Sequence, residues 1–202
     1  CALRGCAPKI LLHSGPEILD RVQHLKGQGI TGSVSVDWPT LIKRKRKFFD
    51  SIPDKREATY KKMGIDTYHG QARFVGTHEV FVDGKILTAK KIVIATGAKP
   101  RALNIPGEEY LHVSDDFFEM DFMPRSLIFI GAGYIALEFA HIAIRSGAQK
   151  VQILHRSDRM LKGFDEDMVS HLQSASEDAG IEFFWNTTAD RVEKKDEKTV
   201  VH

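Results

Sequence analysis

The sequence predicts an α/β fold, and three observations carry that prediction. Residues 127–130, Leu-Ile-Phe-Ile, form a short apolar run suited to a buried parallel strand. Gly131-x-Gly133-x-x-Ala136 follows at once, and a helical pattern then runs to about Ser146, where Gly147 is placed to end it. Val151-Gln-Ile-Leu154 reads as the next strand. Strand, glycine turn, helix and strand in that order make a parallel βαβ unit.

The glycine turn is chemically specific in this setting. Gly131 makes a tight turn, Gly133 lets a backbone approach a pyrophosphate, and the small Ala136 allows close helix–strand packing. Phosphates would sit on the N-terminus of the helix. G-x-G-x-x-A alone is a weak signal; between two strands it is a strong one for a Rossmann-like dinucleotide site. Residues 127–144 are apolar enough to raise the question of a membrane span. Glu138 and His141 fall inside the run and the glycines break it, so a span is rejected.

The remaining elements follow from punctuation. A helix is expected over residues 8–26, with Gly15-Pro16 kinking or splitting it. A second helical stretch covers 39–63, broken at Pro53. From Gly64 the pattern changes to short strands at 65–68, 71–75, 79–82, 85–88 and 91–95, with Asp83-Gly84 as a hairpin signal. Thr96-Gly97 ends this meander as a turn, and residues 101–125 read as a connection. Asp165 caps a further helix, Gly180 ends it, and 181–185 is the next strand. No repeat or low-complexity segment is evident.

Both cysteines of the chain, Cys1 and Cys6, stand just before the first helix, whose first turn suits Pro8. The positive end of the helix dipole favours an anionic sulfur on Cys6. Such a pair can cycle between dithiol and disulfide. It can also be a structural bridge, although one that closes so short a loop stabilises weakly, or Cys6 can be a small buried residue. Zinc is disfavoured, since the spacing is not C-x2-C and the nine histidines are scattered. Among 202 residues, 42% are hydrophobic and 28% charged, and the net charge of +2 gives no case for nucleic acid. The basic run Lys43-Arg-Lys-Arg-Lys47 is read as a solvated helix face in preference to an anion patch.

Four segments in order, residues 1–9, Ile92-Val-Ile-Ala-Thr96-Gly97-Ala-Lys-Pro100, 131–138 and 156–165, resemble the flavin-dependent pyridine-nucleotide disulfide oxidoreductases, most closely the glutathione-reductase branch. The resemblance implies a two-domain flavoprotein fold. Residues 1–122 would be the remainder of an FAD domain and residues 123–202 a truncated NAD(P)-binding domain. The family's upstream flavin fingerprint and its C-terminal interface domain, with the catalytic histidine, have no counterpart here. The chain therefore reads as an internal piece of a longer, homodimeric, cytoplasmic enzyme, and the piece alone as inactive.

The same resemblance assigns roles. Electrons pass from NADPH through FAD to the Cys1–Cys6 disulfide and on to a small disulfide such as glutathione disulfide. Cys6 is the thiol that pairs with the flavin, and Cys1 the interchange thiol. Lys9 and Glu138 match a family ion pair beside the flavin. Tyr134 matches the tyrosine that covers the flavin until the nicotinamide arrives. Thr96 and Gly97 lie where the family backbone passes the flavin nucleotide, and Gly131, Gly133, Ile135 and Ala136 belong to the nicotinamide fingerprint. With Phe164-Asp165 as anchor, Arg156 and Lys162 fall on two arginines that hold the 2′-phosphate of NADPH.

His155 stands where NAD readers usually place an acid, so NADPH is favoured over NADH. Lys162 keeps the charge of the family arginine but not its fork geometry. Three departures stand out: Ser157 replaces a family histidine, Ala-Leu-Arg lies between the cysteines, and Ile10 replaces a common lysine. Arg4 either draws an anionic substrate or is merely solvated. Two alternatives accompany the reductase reading: a dihydrolipoamide dehydrogenase or mercuric reductase relative, and a nucleotide-binding module without turnover.

Overall fold

A computed structural model describes residues 2–196 and 198–202. They divide into two compact units, one built from the segments before Asp50 and after Pro100, the other from residues 50–100.

Helix α1 (Cys6–His24) opens the first unit. It runs unbroken through Pro16, against the expected split. Pro8, Leu12 and Pro16 recur every fourth residue and are all buried, so one apolar stripe crosses the proline. A Cβ at Gly15 would meet the Val36 and Leu41 side chains at 3.6 and 3.7 Å. Burial along that stripe offsets the hydrogen bond that Pro16 cannot donate.

Helix α2 (Trp38–Phe49) starts where Asp37 accepts from the Thr40 N–H at 3.1 Å and the Thr40 hydroxyl at 2.7 Å. The basic run on α2 departs from the solvated face expected of it. Lys45 is 2% exposed and donates to Glu119 at 2.7 Å, and Arg46 bonds Asp121 at 2.6 Å. Trp38 donates its indole N–H to the Met120 carbonyl at 2.8 Å. Residues 119–121 thus dock on α2 by three ion pairs, Lys45 and Arg46 to Glu119 and Arg46 to Asp121, and by hydrogen bonds from Trp38 and Arg46 to backbone carbonyls, a long-range pairing that local charge patterning cannot reveal.

The second unit holds helix α3 (Ile52–Lys62) and an antiparallel sheet, β1 (Arg73–Gly76), β2 (Glu79–Val82) and β3 (Lys85–Thr88), in that order. Asp83 and Gly84 both take positive φ, 51° and 73°, which is the twist a two-residue hairpin requires. The strands expected at 65–68 and 91–95 do not form. Both segments are non-helical but have no ladder partner among the described residues. Val93 and Ile94 are 86% and 70% exposed. β-propensity makes a chain extended; only a neighbouring backbone makes it a strand.

The chain then returns to the first unit through a short 3₁₀ turn (Glu108–Tyr110) and helix α4 (Ser114–Phe117). The βαβαβ core follows: β4 (Ser126–Ile130), α5 (Tyr134–Arg145), β5 (Lys150–Leu154), α6 (Glu166–Asp178) and β6 (Ile181–Phe184). The three strands are parallel in the order β4-β5-β6, with Leu127 beside Val151 and Val151 beside Ile181. A hairpin, β7 (Val192–Lys195) and β8 (Lys198–Val201), ends the chain. Ala140, Ile142 and Ala143 of α5 and Val151 and Ile153 of β5 are fully buried. Phe139 stacks on Phe117 at 4.2 Å and receives Phe118 edge-on at 5.2 Å. Asp165 caps α6 by accepting from the Met168 N–H at 3.1 Å.

One polar chain crosses the helices. Asp20 of α1 is held by two guanidinium nitrogens of Arg145, each at 3.0 Å. Arg145 also donates to His141 Nδ1, His141 Nε2 reaches the Ser176 hydroxyl at 2.9 Å, and Ser176 donates to the Leu172 carbonyl at 2.6 Å. His141 is therefore neutral with its proton on Nε2. Burial first, and the Arg145 guanidinium second, push its pKa down from 6.5 to about 4.

As pH falls below 6.5 the unfolded chain takes up this proton before the folded one does, so the contribution of His141 to stability declines between pH 6.5 and about 4. Partial exposure limits the loss to about 2 kcal/mol. Urea melts should show a shallower fall of stability with acid in His141→Asn. An unchanged slope would assign the acid sensitivity to other groups.

Candidate dinucleotide and redox site

Gly131 and Gly133 form an open cradle on the first unit. Gly131 takes φ 102°, and a Cβ at either glycine would meet nothing within 4 Å. The Gly131 N–H is held by the Leu154 carbonyl at 2.7 Å. Gly133 is the N-cap of α5 and brings no side-chain cap, so the first-turn N–H groups of Tyr134, Ile135 and Ala136 face this opening uncapped by any side chain. A pyrophosphate fits such a cradle, because backbone donors and the helix dipole both favour an anion there.

The loop after β5 supplies the cations, and the structure sorts them. Arg159 is committed: it pairs with Glu166 and donates to the Lys162 carbonyl at 3.2 Å. His155 turns its ring to the glycine turn, where Nδ1 accepts from the Ala132 N–H at 3.1 Å. Burial pushes its pKa down from 6.5, and the Arg156 and Lys162 charges act in the same direction. Lys162 is loosely placed 3.8 Å from Asp158 and remains largely exposed. Arg156 is exposed, and among the described residues no ion pair or hydrogen bond engages its guanidinium. Arg156 and Lys162 are thus the cations available to a ligand phosphate.

Lys9 and Glu138, 129 positions apart, form the expected ion pair between α1 and α5. Lys9 Nζ also lies 5.9 Å from the centre of the Tyr134 ring, which is itself 59% exposed. Cys6 is the first residue of α1 and exposed, one turn before Lys9; Cys1 lies outside the described residues. Arg4 sits 3.7 Å from Asp115. Lys9, Glu138 and Tyr134 thus form one cluster at the start of α5, with Cys6 one turn before Lys9 on α1. In the second unit Thr96 and Gly97 are exposed, Gly97 at φ 77° with open space beside it.

Sequence reasoning missed the His155–Ala132 bond, the Arg159–Glu166 pair and the Lys9–Tyr134 contact. None leaves a local signal, since each joins residues brought together by the fold. No helix among the described residues is long and apolar enough to cross a membrane.

The full span 1–202 matches the model of the pyridine nucleotide-disulphide oxidoreductases. The chain belongs to that family. Within the pyridine nucleotide-disulphide oxidoreductases it is 34% identical over 182 residues to a glutathione reductase of Nostoc sp., covering 90% of this chain and 39% of that protein. It is 33% identical to a mercuric reductase of Bacillus cereus, covering all of this chain and 32% of that one. Among solved structures it matches the HOCl-induced flavoprotein disulfide reductase RclA from Escherichia coli, with a TM-score of 0.83 and 25% identity over the whole chain and 44% of RclA. The α/β, two-domain flavoprotein fold expected from the sequence agrees with this match. The chain spans less than half the length of these relatives. Family membership implies FAD and a pyridine nucleotide as cofactors.

Proposed function

We propose that the protein containing this chain is an NADPH:disulfide oxidoreductase of glutathione-reductase type, acting as a soluble cytoplasmic homodimer. The observation that supports this best is the Lys9–Glu138 pair, which ties the cysteine-bearing helix to the helix behind the open glycine turn. In this reading residues 1–122 belong to the flavin domain and 123–202 to the nicotinamide domain. FAD, when bound, supplies two-electron transfer between nicotinamide and disulfide.

The chain's own residues do the rest. The α5 amides and Gly131–Gly133 hold the pyrophosphate, Arg156 and Lys162 hold the 2′-phosphate, and Tyr134 covers the nicotinamide approach. In the reduced dithiol, the Cys1 thiolate attacks one substrate sulfur and expels the other as a thiolate. The Cys6 thiolate then attacks the Cys1 sulfur, releasing the second thiolate and restoring the Cys1–Cys6 disulfide. The mercuric reductase similarity keeps an NADPH-using metal reductase as the second reading.

Arg156→Ala tests the cofactor choice. A charge-assisted contact to phosphate contributes about 1.5–3 kcal/mol, so the Michaelis constant for NADPH should rise roughly 10- to 100-fold while NADH kinetics stay close to the parent. Added salt should weaken NADPH selectively, since Arg156 is exposed. Equal losses for both cofactors would mean that Arg156 supports the fold or the shared pyrophosphate. A parent enzyme that prefers NADH would overturn the NADPH reading.

A further inference from the structure

His155 occupies the position from which the nucleotide ribose is usually read, yet its ring is turned to the protein. The two N–H groups at the start of the glycine turn are both held by the end of β5: Gly131 by the Leu154 carbonyl at 2.7 Å, Ala132 by His155 Nδ1 at 3.1 Å. Ala132 is 1% exposed, so without that acceptor its N–H would be buried and unpaired. The His155 backbone is fixed as well. Its N–H donates to the Phe184 carbonyl at 2.9 Å, and its carbonyl accepts from the Thr187 N–H at 2.9 Å. Trp185 meets the ring edge-on at 6.1 Å.

We propose that His155 is a positioning residue for nucleotide binding: its neutral ring, through the Nδ1 lone pair, latches the Gly131–Gly133 turn in the form open to a pyrophosphate, and its protonation releases the latch. The proposal rests on the dinucleotide-site reading and adds the group that holds that site in shape. An imidazolium has a proton on both nitrogens and cannot accept from Ala132.

The groups facing the ring are known from each side. The glycine turn offers only the Ala132 amide, and the end of β6 offers Trp185. The ring's own loop contributes the Arg159 backbone and the charges of Arg156, Lys162 and Asp158. Burial and the two cations favour the neutral ring, while the Arg159 backbone and Asp158 oppose them. The sign is diagnostic. A latch weakens every dinucleotide as pH falls, because the pyrophosphate is common to all. A histidinium that touched the 2′-phosphate would strengthen the phosphorylated nucleotide selectively.

The experiment measures binding of NAD⁺ and NADP⁺ to the oxidised full-length flavoprotein between pH 8 and 5, with NAD⁺ as the primary probe because it has no phosphate titrating there. The wild type is expected to lose affinity for NAD⁺ as pH falls below 6.5, by up to about tenfold once the ring is protonated. His155→Asn, which places a carbonyl oxygen near the Nδ1 position, should bind NAD⁺ with an affinity that no longer varies with pH. His155→Leu should bind both nucleotides weakly at every pH. A second arm follows the Ala132 amide by NMR in the absence of nucleotide. Its shift should titrate with the His155 ring in the wild type and be flat in His155→Asn, whichever nucleotide the protein takes. A flat Ala132 amide in the wild type would overturn the latch, and so would His155→Leu binding NAD⁺ as the wild type does. Selective tightening of NADP⁺ at low pH that His155→Asn abolishes would replace the latch with direct phosphate contact. Failure of both nucleotides to bind, with the amide titration intact, would overturn the dinucleotide reading and leave the latch standing.

Discussion

Gly107→Ala should destabilise the protein by at least about 3 kcal/mol, the largest effect expected of any single methyl group here. Gly107 takes φ 81°, and a Cβ on it would lie 1.8 Å from the Val192 carbonyl oxygen and 2.7 Å from its carbon. These are backbone atoms of β7, which cannot swing aside as a side chain can. The same junction carries the Val192 N–H to Pro106 carbonyl bond at 2.8 Å, so displacing β7 costs that bond too. Gly27→Ala is the control. It has nearly the same φ, 82°, with nothing within 4 Å, so it pays only the left-handed backbone penalty of about 1 kcal/mol. Urea melts of the two variants separate strain from overlap. Equal losses would mean that Gly107 and Val192 do not approach this closely in solution.

The cysteine pair carries the second large effect. In the full-length flavoprotein, Cys1→Ser and Cys6→Ser should each reduce disulfide turnover by about a thousandfold or more, and the double variant should be little worse, because in the proposed relay the two thiols act as one unit. Spectra distinguish them. On two-electron reduction Cys1→Ser should keep the long-wavelength absorbance band and Cys6→Ser should lose it. Cys6 is exposed at the first position of α1, three residues before Lys9. The reverse pattern of spectra would exchange the two roles.

What the sequence made legible was local. The glycine turn, the Asp165 cap, the Asp83-Gly84 hairpin and the ends of α5 and α6 are written in residues that sit within a few positions of the feature they create. The Lys9–Glu138 pair was legible only through family resemblance, for nothing in the 128 residues between them signals it. What stayed hidden depended on partners distant in the chain. Residues 91–95 have a strand's composition but no ladder partner among the described residues. The proline in α1 has a breaker's chemistry but lies on a stripe that tertiary packing buries. Lys45 belongs to a charge run, and only the fold delivers Glu119 to it. At the candidate site the same rule sorted the cations: charge alone does not separate Arg159 from Arg156, and they differ because Glu166 has claimed Arg159, while the His155 ring is held by the Ala132 amide.

The two salt links between α1 and α5 have a mechanical consequence. Lys9 and Asp20 are eleven residues apart and Glu138 and Arg145 seven, spacings that return to the same helix face and separate the anchors by about 16 and 10 Å along their axes. One bolt fixes a distance; two fix a direction. Rotation of α1 about its own axis, or a swing of one end away from α5, must break one link. The helix that begins at Cys6 and the helix that begins at the glycine turn therefore share one alignment.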